Sequence, residues 1–231
     1  MVSVRPLVCV VFLACGARTE LGAGGGDAAV TPDVHVADAH PIDAQPKVDA
    51  PNPCVFPDIT ATIRTTADDE FELYVNDQLV GSNGAWTQAQ QYSVTVHRDP
   101  GTRNVIAMKG TNLENTNGRD RGVLLDMRFT TEAGEQTIVT DTQWRFATSA
   151  PTNWNATTFD DSSWKSAVSE GAYPEGPWND VLGTTSTAEW LWSYDSNEPA
   201  SAKVVMESVF LRRDFYIDAS GHVVNAPAVC D

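Results

Sequence analysis

Between Thr66 and Gly81 the chain reads TADDEFELYVNDQLVG. Phe71, Leu73 and Val75 alternate with Glu72, Tyr74 and Asn76, the period-two pattern of a strand with one face in a core and the other toward solvent. The pattern breaks at Asn76-Asp77 and resumes at Leu79-Val80. Asn and Asp tolerate left-handed backbone angles and bond their own main chain, so a tight hairpin is expected there. Ahead of the strand stand Asp68, Asp69 and Glu70, where a loop becomes a strand, and a ligand is expected at that point. Glu70 and Glu72 share one face of the strand and read as ordinary solvated acids.

The same alternation recurs along the chain. Ile59, Ala61 and Ile63 form one run, and Tyr92, Val94 and Val96 another up to Asp99-Pro100-Gly101. A third run follows from Asn104 to Met108. Val123, Leu125, Met127 and Phe129 alternate up to the turn Glu132-Ala133-Gly134-Glu135, with Thr137 to Thr140 as hairpin partner. Val209, Leu211, Arg213, Phe215 and Ile217 make a last long strand before Ser220-Gly221. No long stretch has helical periodicity. Short strands separated by Gly, Pro, Asn and Asp predict an all-β fold, an antiparallel sandwich or barrel. From Thr142 to Ser193 strand signals thin while tryptophans crowd in, and this segment is expected to fold back and contribute core.

The N-terminus has a different logic. Arg5 precedes an apolar run from Leu7 to Ala14 that ends in Leu13-Ala14-Cys15. This is a secretory signal in outline, too short to span a bilayer, which takes about 20 apolar residues. The Leu-Ala-Cys ending resembles the lipobox of bacterial lipoproteins, which implies acylation of Cys15; an ordinary cleaved signal is the alternative. Gly16 lacks the Asp that in that family retains lipoproteins at the inner membrane, so an outer-membrane or cell-surface address is expected, with secreted or periplasmic as the alternative. Residues 16–53, rich in Gly, Ala, Pro and Asp, offer no apolar face and read as a disordered tether. His35 and His40 within it are read as incidental. Residues 54–231 form the folded domain, and Cys54 and Cys230 bracket it in a compartment where disulfides persist, so they are expected to pair.

A formal net charge of −16 repels nucleic acid and anionic lipid, and no basic patch answers it. The membrane is therefore met through the lipid anchor only. After the tether the histidines are His97 and His222, and no nucleophile elbow, zinc signature or phosphate loop appears, so no enzyme is expected.

With these segments placed, a resemblance emerges. TADDEFELYVNDQLVG, Asn104-Val105-Ile106-Ala107, Gly122-Val123-Leu124-Leu125, Thr140-Asp141-Thr142-Gln143-Trp144, FDDSSW at 159–164 and Phe210-Leu211-Arg212-Arg213-Asp214-Phe215 together resemble the galactose-binding-like jelly-roll domain. The likeness is to the modules at the front of bacterial alpha-L-rhamnosidases, and it covers roughly residues 56–218. It implies a β-sandwich that binds carbohydrate without transforming it, in some relatives with calcium. By that likeness Asp68 and Asp69 match the sugar and calcium site.

Sugars stack their CH faces on aromatic rings and pair their hydroxyls with planar donors and acceptors. Trp86, in SNGAW, and Trp178, in YPEGPW, lie on loops suited to display. Asn76 and Arg119 are candidate polar companions. Trp144, Trp164 and Trp192 are expected in the core, and Asp160-Asp161 as a turn or cap. A competing reading is a surface scaffold for adhesion or protein contacts with no sugar site. Exposed Trp86 or Trp178 beside Asp68 and Asp69 in a concave site would favour sugar; buried tryptophans would favour the scaffold.

Overall fold

The alternating runs become strands. A computed structural model describes residues 55–113, 121–175, 178–193 and 207–227; Cys15, Cys54, Arg119 and Cys230 lie outside the described residues. The strands are β1 Ile59–Asp68, β2 Glu70–Val75, β3 Gln78–Asn83, β4 Gln90–Val96, β5 Asn104–Asn112, β6 Gly122–Thr131, β7 Gly134–Val139, β8 Arg145–Ala147, β9 Lys165–Ser166, β10 Val168–Ala172, β11 Glu189–Trp192, β12 Glu207–Ile217 and β13 Val223–Val224. Short β8 to β11 fall within the tryptophan-rich segment, where alternation is too brief to read. No helix occurs among the described residues.

Two antiparallel sheets result. One runs β10-β11-β6-β1-β4 with β7 on β6, and the other β3-β2-β5-β12-β8-β9 with β13 on β12. β1 and β2 are almost continuous in sequence yet belong to different sheets, so Asp68-Asp69 is the corner where the chain changes layer. The hairpin turns at Asn76 and Asp77, both with positive φ (46° and 70°), as the residue types require. Between the sheets lies one core that includes Ile63, Phe71, Leu73, Ile106, Met108, Leu125, Trp144, Trp192 and Leu211. This is an all-β antiparallel sandwich.

The sheets approach closely at Gly110. A Cβ there would lie 2.6 Å from Val123 Cγ2, 3.0 Å from Trp192 and 3.3 Å from Val209. Gly110→Ala is expected to cost about 1–3 kcal/mol by overpacking. Urea unfolding measures it, and an unchanged midpoint would show that the layers can part freely.

The tryptophan-rich segment supplies a lid to each outer face. Tyr173, Trp178, Leu182, Ala188 and Trp190 pack with Leu124 over the β6 side. Trp154 packs on Val105 and Ala107 over the β5 side, with Tyr74, Trp164 and Phe210 alongside. Trp144 and Trp192 are fully buried as expected, whereas Trp164 is half-buried, packed edge-on against Phe159.

The second lid is held by charge. Arg212, with no exposed surface, donates Nε–H to Asp161 Oδ2 at 3.0 Å and Nη1–H to the carbonyls of Trp154 and Ala156. Arg103 donates to the carbonyls of Thr157 and Phe159 and pairs with Asp214, which also accepts from Arg212. Asp160 accepts from the Ser162 amide at 2.9 Å, the turn role expected of it.

Candidate functional site

The layer-switching corner is closed. Asp68 is 4% exposed and accepts a 2.7 Å hydrogen bond from Trp178 Nε1–H. Trp178 is itself 3% exposed and stacks on Trp190 at 4.3 Å. The expectation of a displayed Trp178 is thus corrected: the outer face of β6 carries buried Leu124, and an indole is needed to cover it. Trp86 joins the same cluster half-buried, and its carbonyl accepts from Thr66 Oγ1. Asp68, Trp86 and Trp178 thus meet as packing, not as a concave sugar site, which at this corner is the arrangement expected of a scaffold.

Asp69 is half-buried. Its carboxylate accepts from the Leu113 amide at 2.6 Å, and its own amide donates to the Thr111 carbonyl. Calcium takes six to eight oxygens, largely carboxylates and carbonyls. Asp68 Oδ2 is engaged by an indole donor and Asp69 Oδ2 by an amide donor, and among the described residues no group of three or more His, Cys, Asp or Glu stands together as a metal cluster.

Asn76 is also placed elsewhere. It sits at the other end of six-residue β2, roughly 20 Å from Asp69. Its side-chain amide donates to Asn104 Oδ1 and the Thr95 carbonyl and accepts from the Val105 amide, so it is a turn-locking residue.

What stays open is the outward face immediately after the corner. Glu70, Glu72, Ser82, Asn83, Gly84, Lys109 and Thr111 line a groove of about 450 Å³ on β2, β3 and β5. The register sets Glu72 opposite both Lys109 and Ser82, and Glu70 opposite Thr111. Glu72 accepts from Tyr74 Oη–H at 2.7 Å and from Lys109 Nζ at 3.0 Å. Those two bonds, the tyrosine's first and then the lysine's, hold the Glu72 carboxyl below the usual glutamate value of 4.5. Burial, and then the same bond to Glu72, push the Tyr74 phenol up to about 12. The pair therefore persists across the physiological range, ionised carboxylate against neutral phenol. Thr111 Oγ1 lies 3.2 Å from Ser208 Oγ, which extends the polar row onto β12.

Aromatic rings lie next to Glu72 through its bond to Tyr74. Tyr74 meets Trp154 edge-on at 5.5 Å, and Trp154 meets Phe210 at 5.0 Å. The groove thus offers fixed acceptors, one ammonium donor, hydroxyls and a flanking ring. Reading Glu70 and Glu72 as ordinary solvated acids overlooked it, because the opposing Lys109 is set by register and lies 37 residues away.

No known family model matches the chain, and no curated protein sequence does. Among solved structures it is similar to the Pleurotus ostreatus lectin in complex with GalNAc, with 30% identity and a TM-score of 0.48 over 53% of this chain. The apo form of that lectin gives 31% and 0.47 over 53% of this chain. The Streptomyces avermitilis alpha-L-rhamnosidase complexed with L-rhamnose gives 17% and 0.47 over 66% of this chain. The matches span 35% of each lectin chain and 20% of the rhamnosidase chain.

Proposed function

We propose that this domain binds a neutral saccharide in the outward groove of β2, β3 and β5 and does not transform it. The observation that carries this reading is the locked Tyr74–Glu72–Lys109 row, open to solvent beside Glu70, Ser82 and Thr111. Sugar hydroxyls donate and accept at once, and a row of preoriented partners recognises them without the entropy of ordering flexible side chains. Tyr74, backed by Trp154, supplies the apolar edge for a CH face.

Hydrolysis needs two carboxyls on opposite sides of a scissile bond, one of them a proton donor. Glu70 and Glu72 stand side by side on one strand, and Glu72 is held ionised. That arrangement supports binding over catalysis.

Titration of the protein with neutral sugars, including galactose, N-acetylgalactosamine and L-rhamnose, is expected to show saturable binding. Lys109→Ala should weaken it by about tenfold, the loss of one charge-assisted contact and the release of Glu72. A depressed carboxyl keeps its pair above its unfolded value and loses it as pH falls through the folded value. Affinity should therefore hold at pH 5 and fall only below the ordinary 4.5. Silence across the panel, or full affinity in Lys109→Ala, overturns the assignment.

The N-terminal sequence supports export and lipid anchoring through Cys15 at the outer membrane or cell surface, with residues 16–53 as tether. In the producing cell the protein should partition with membranes, and Cys15→Ala should move it to the soluble fraction. Membrane association that survives the substitution refutes the anchor.

A further inference from the structure

The long strand β12 carries an arginine in a core-facing place. Val209, Leu211, Phe215 and Ile217 share one face of the strand and are at most 1% exposed, and Arg213 occupies the position between them. Among the described residues no strand pairs with it at that point on the side away from β5. β8 pairs with Phe210 to Arg212, β13 pairs with Tyr216 and Ile217, and no described strand covers residues 213–215 on that side. Arg213 reaches out through this gap.

Its charge is only indirectly answered. Nη2 donates to Gln143 Oε1 at 2.9 Å and to Asn225 Oδ1 at 2.8 Å, both neutral acceptors. No carboxylate lies within ion-pairing distance of it among the described residues. Burial pulls the guanidinium below its usual value, with Asp141 and Asp214 acting back through space. The surrounding acids have partners already: Asp141 holds Gln143 through both oxygens, Asp161 holds Arg212, and Asp214 is shared by Arg103 and Arg212. Arg145, opposite Arg212 across β8 and β12, adds a further half-exposed cation.

Two grooves of about 400 and 340 Å³ meet at Arg213, sharing Gln143 and Asn225. Each is far larger than an inorganic anion, and Ser162, Gln136 and Thr137 add hydroxyl and amide groups around the cation. A planar guanidinium fork matches a carboxylate, and amides and hydroxyls match sugar hydroxyls. We propose that the gap between β8 and β13 is a second saccharide site, one that takes an acidic sugar with its carboxylate on Arg213. It is separate from the Glu72–Lys109 groove and does not depend on it. The overall charge of −16 opposes polyanions at long range. Short uronate oligomers at physiological salt, where screening acts within about 8 Å, are therefore the fitting ligands.

The test is calorimetric titration with tri-galacturonate and its neutral counterpart, galactotriose, at physiological salt. The native protein and Lys109→Ala serve as parallel hosts, the second with its first groove weakened about tenfold, and uronate affinity should be the same in both. Expected are saturable uronate binding and binding of galactotriose about tenfold weaker or worse. Arg213→Gln should lower uronate affinity by about tenfold or more, with Arg213→Lys between the two because it keeps charge but loses the fork. Thermal melts confirm that each variant folds. Absence of uronate binding, or binding indifferent to Arg213→Gln in a folded variant, overturns the proposal. Inorganic sulfate bound as tightly, with the same Arg213 dependence, overturns its saccharide character.

Discussion

Arg212→Ala is expected to destabilise the domain by about 3–5 kcal/mol, the cost of breaking a buried ion pair from one side. In a domain of this size that is a fall in melting temperature of roughly 6–20 °C. The substitution removes a side chain with no exposed surface and strips Asp161 of its closest cation. It also frees the carbonyls of Trp154 and Ala156, which the same guanidinium anchors. Phe159 loses the cation that sits 5.2 Å from its ring centroid. Arg212→Lys should recover little, since a point charge cannot serve Asp161, two carbonyls and Asp214 from one position. Because Trp154 backs Tyr74, the variant should also bind sugar weakly wherever it still folds. A melting point within a degree or two of the native protein would mean that the lid is held by apolar packing alone.

Trp178→Ala is expected to cost about 3–5 kcal/mol as a large buried ring is lost from the first lid. Trp178→Phe keeps an aromatic against Trp190 but deletes the donor to Asp68, and about 1–3 kcal/mol should follow from that deletion. The pair of variants separates packing from hydrogen bonding. The phenylalanine variant should retain native affinity for neutral sugars, since the proposed groove lies in the other sheet. A folded Trp178→Phe protein with strongly reduced sugar affinity would return the site to the Asp68 corner and dismiss the outward groove.

How far the candidate site was legible depends on the residue. Alternation on β2 placed Phe71, Leu73 and Val75 inward, and they are at most 4% exposed. Glu70 and Glu72 were correctly put on the opposite face, yet nothing local marks them as a groove. Their meaning comes from Lys109, Ser82 and Thr111, brought alongside by strand register. Loop residues misled for the reverse reason. SNGAW and YPEGPW have the composition of displayed loops, but a sandwich with two apolar outer patches needs lids, and Trp86 and Trp178 are drawn into one of them. The motifs FDDSSW and FLRRDF, read apart, were a turn and a strand. Only the fold joins them, through Asp161 and Arg212.

The sequence by itself determined the class of fold, the principal strands, the hairpin at Asn76-Asp77 and the apolar faces. Each follows from periodicity two and from the backbone preferences of a few residues, which act over short distances. Tertiary structure alone decided which polar residues meet. Asp68 with Trp178, Glu72 with Lys109, and Arg212 with Asp161 are separated by 110, 37 and 51 residues. Such pairings depend on sheet order and register, and these emerge only when the whole set of strands has found its mutual packing.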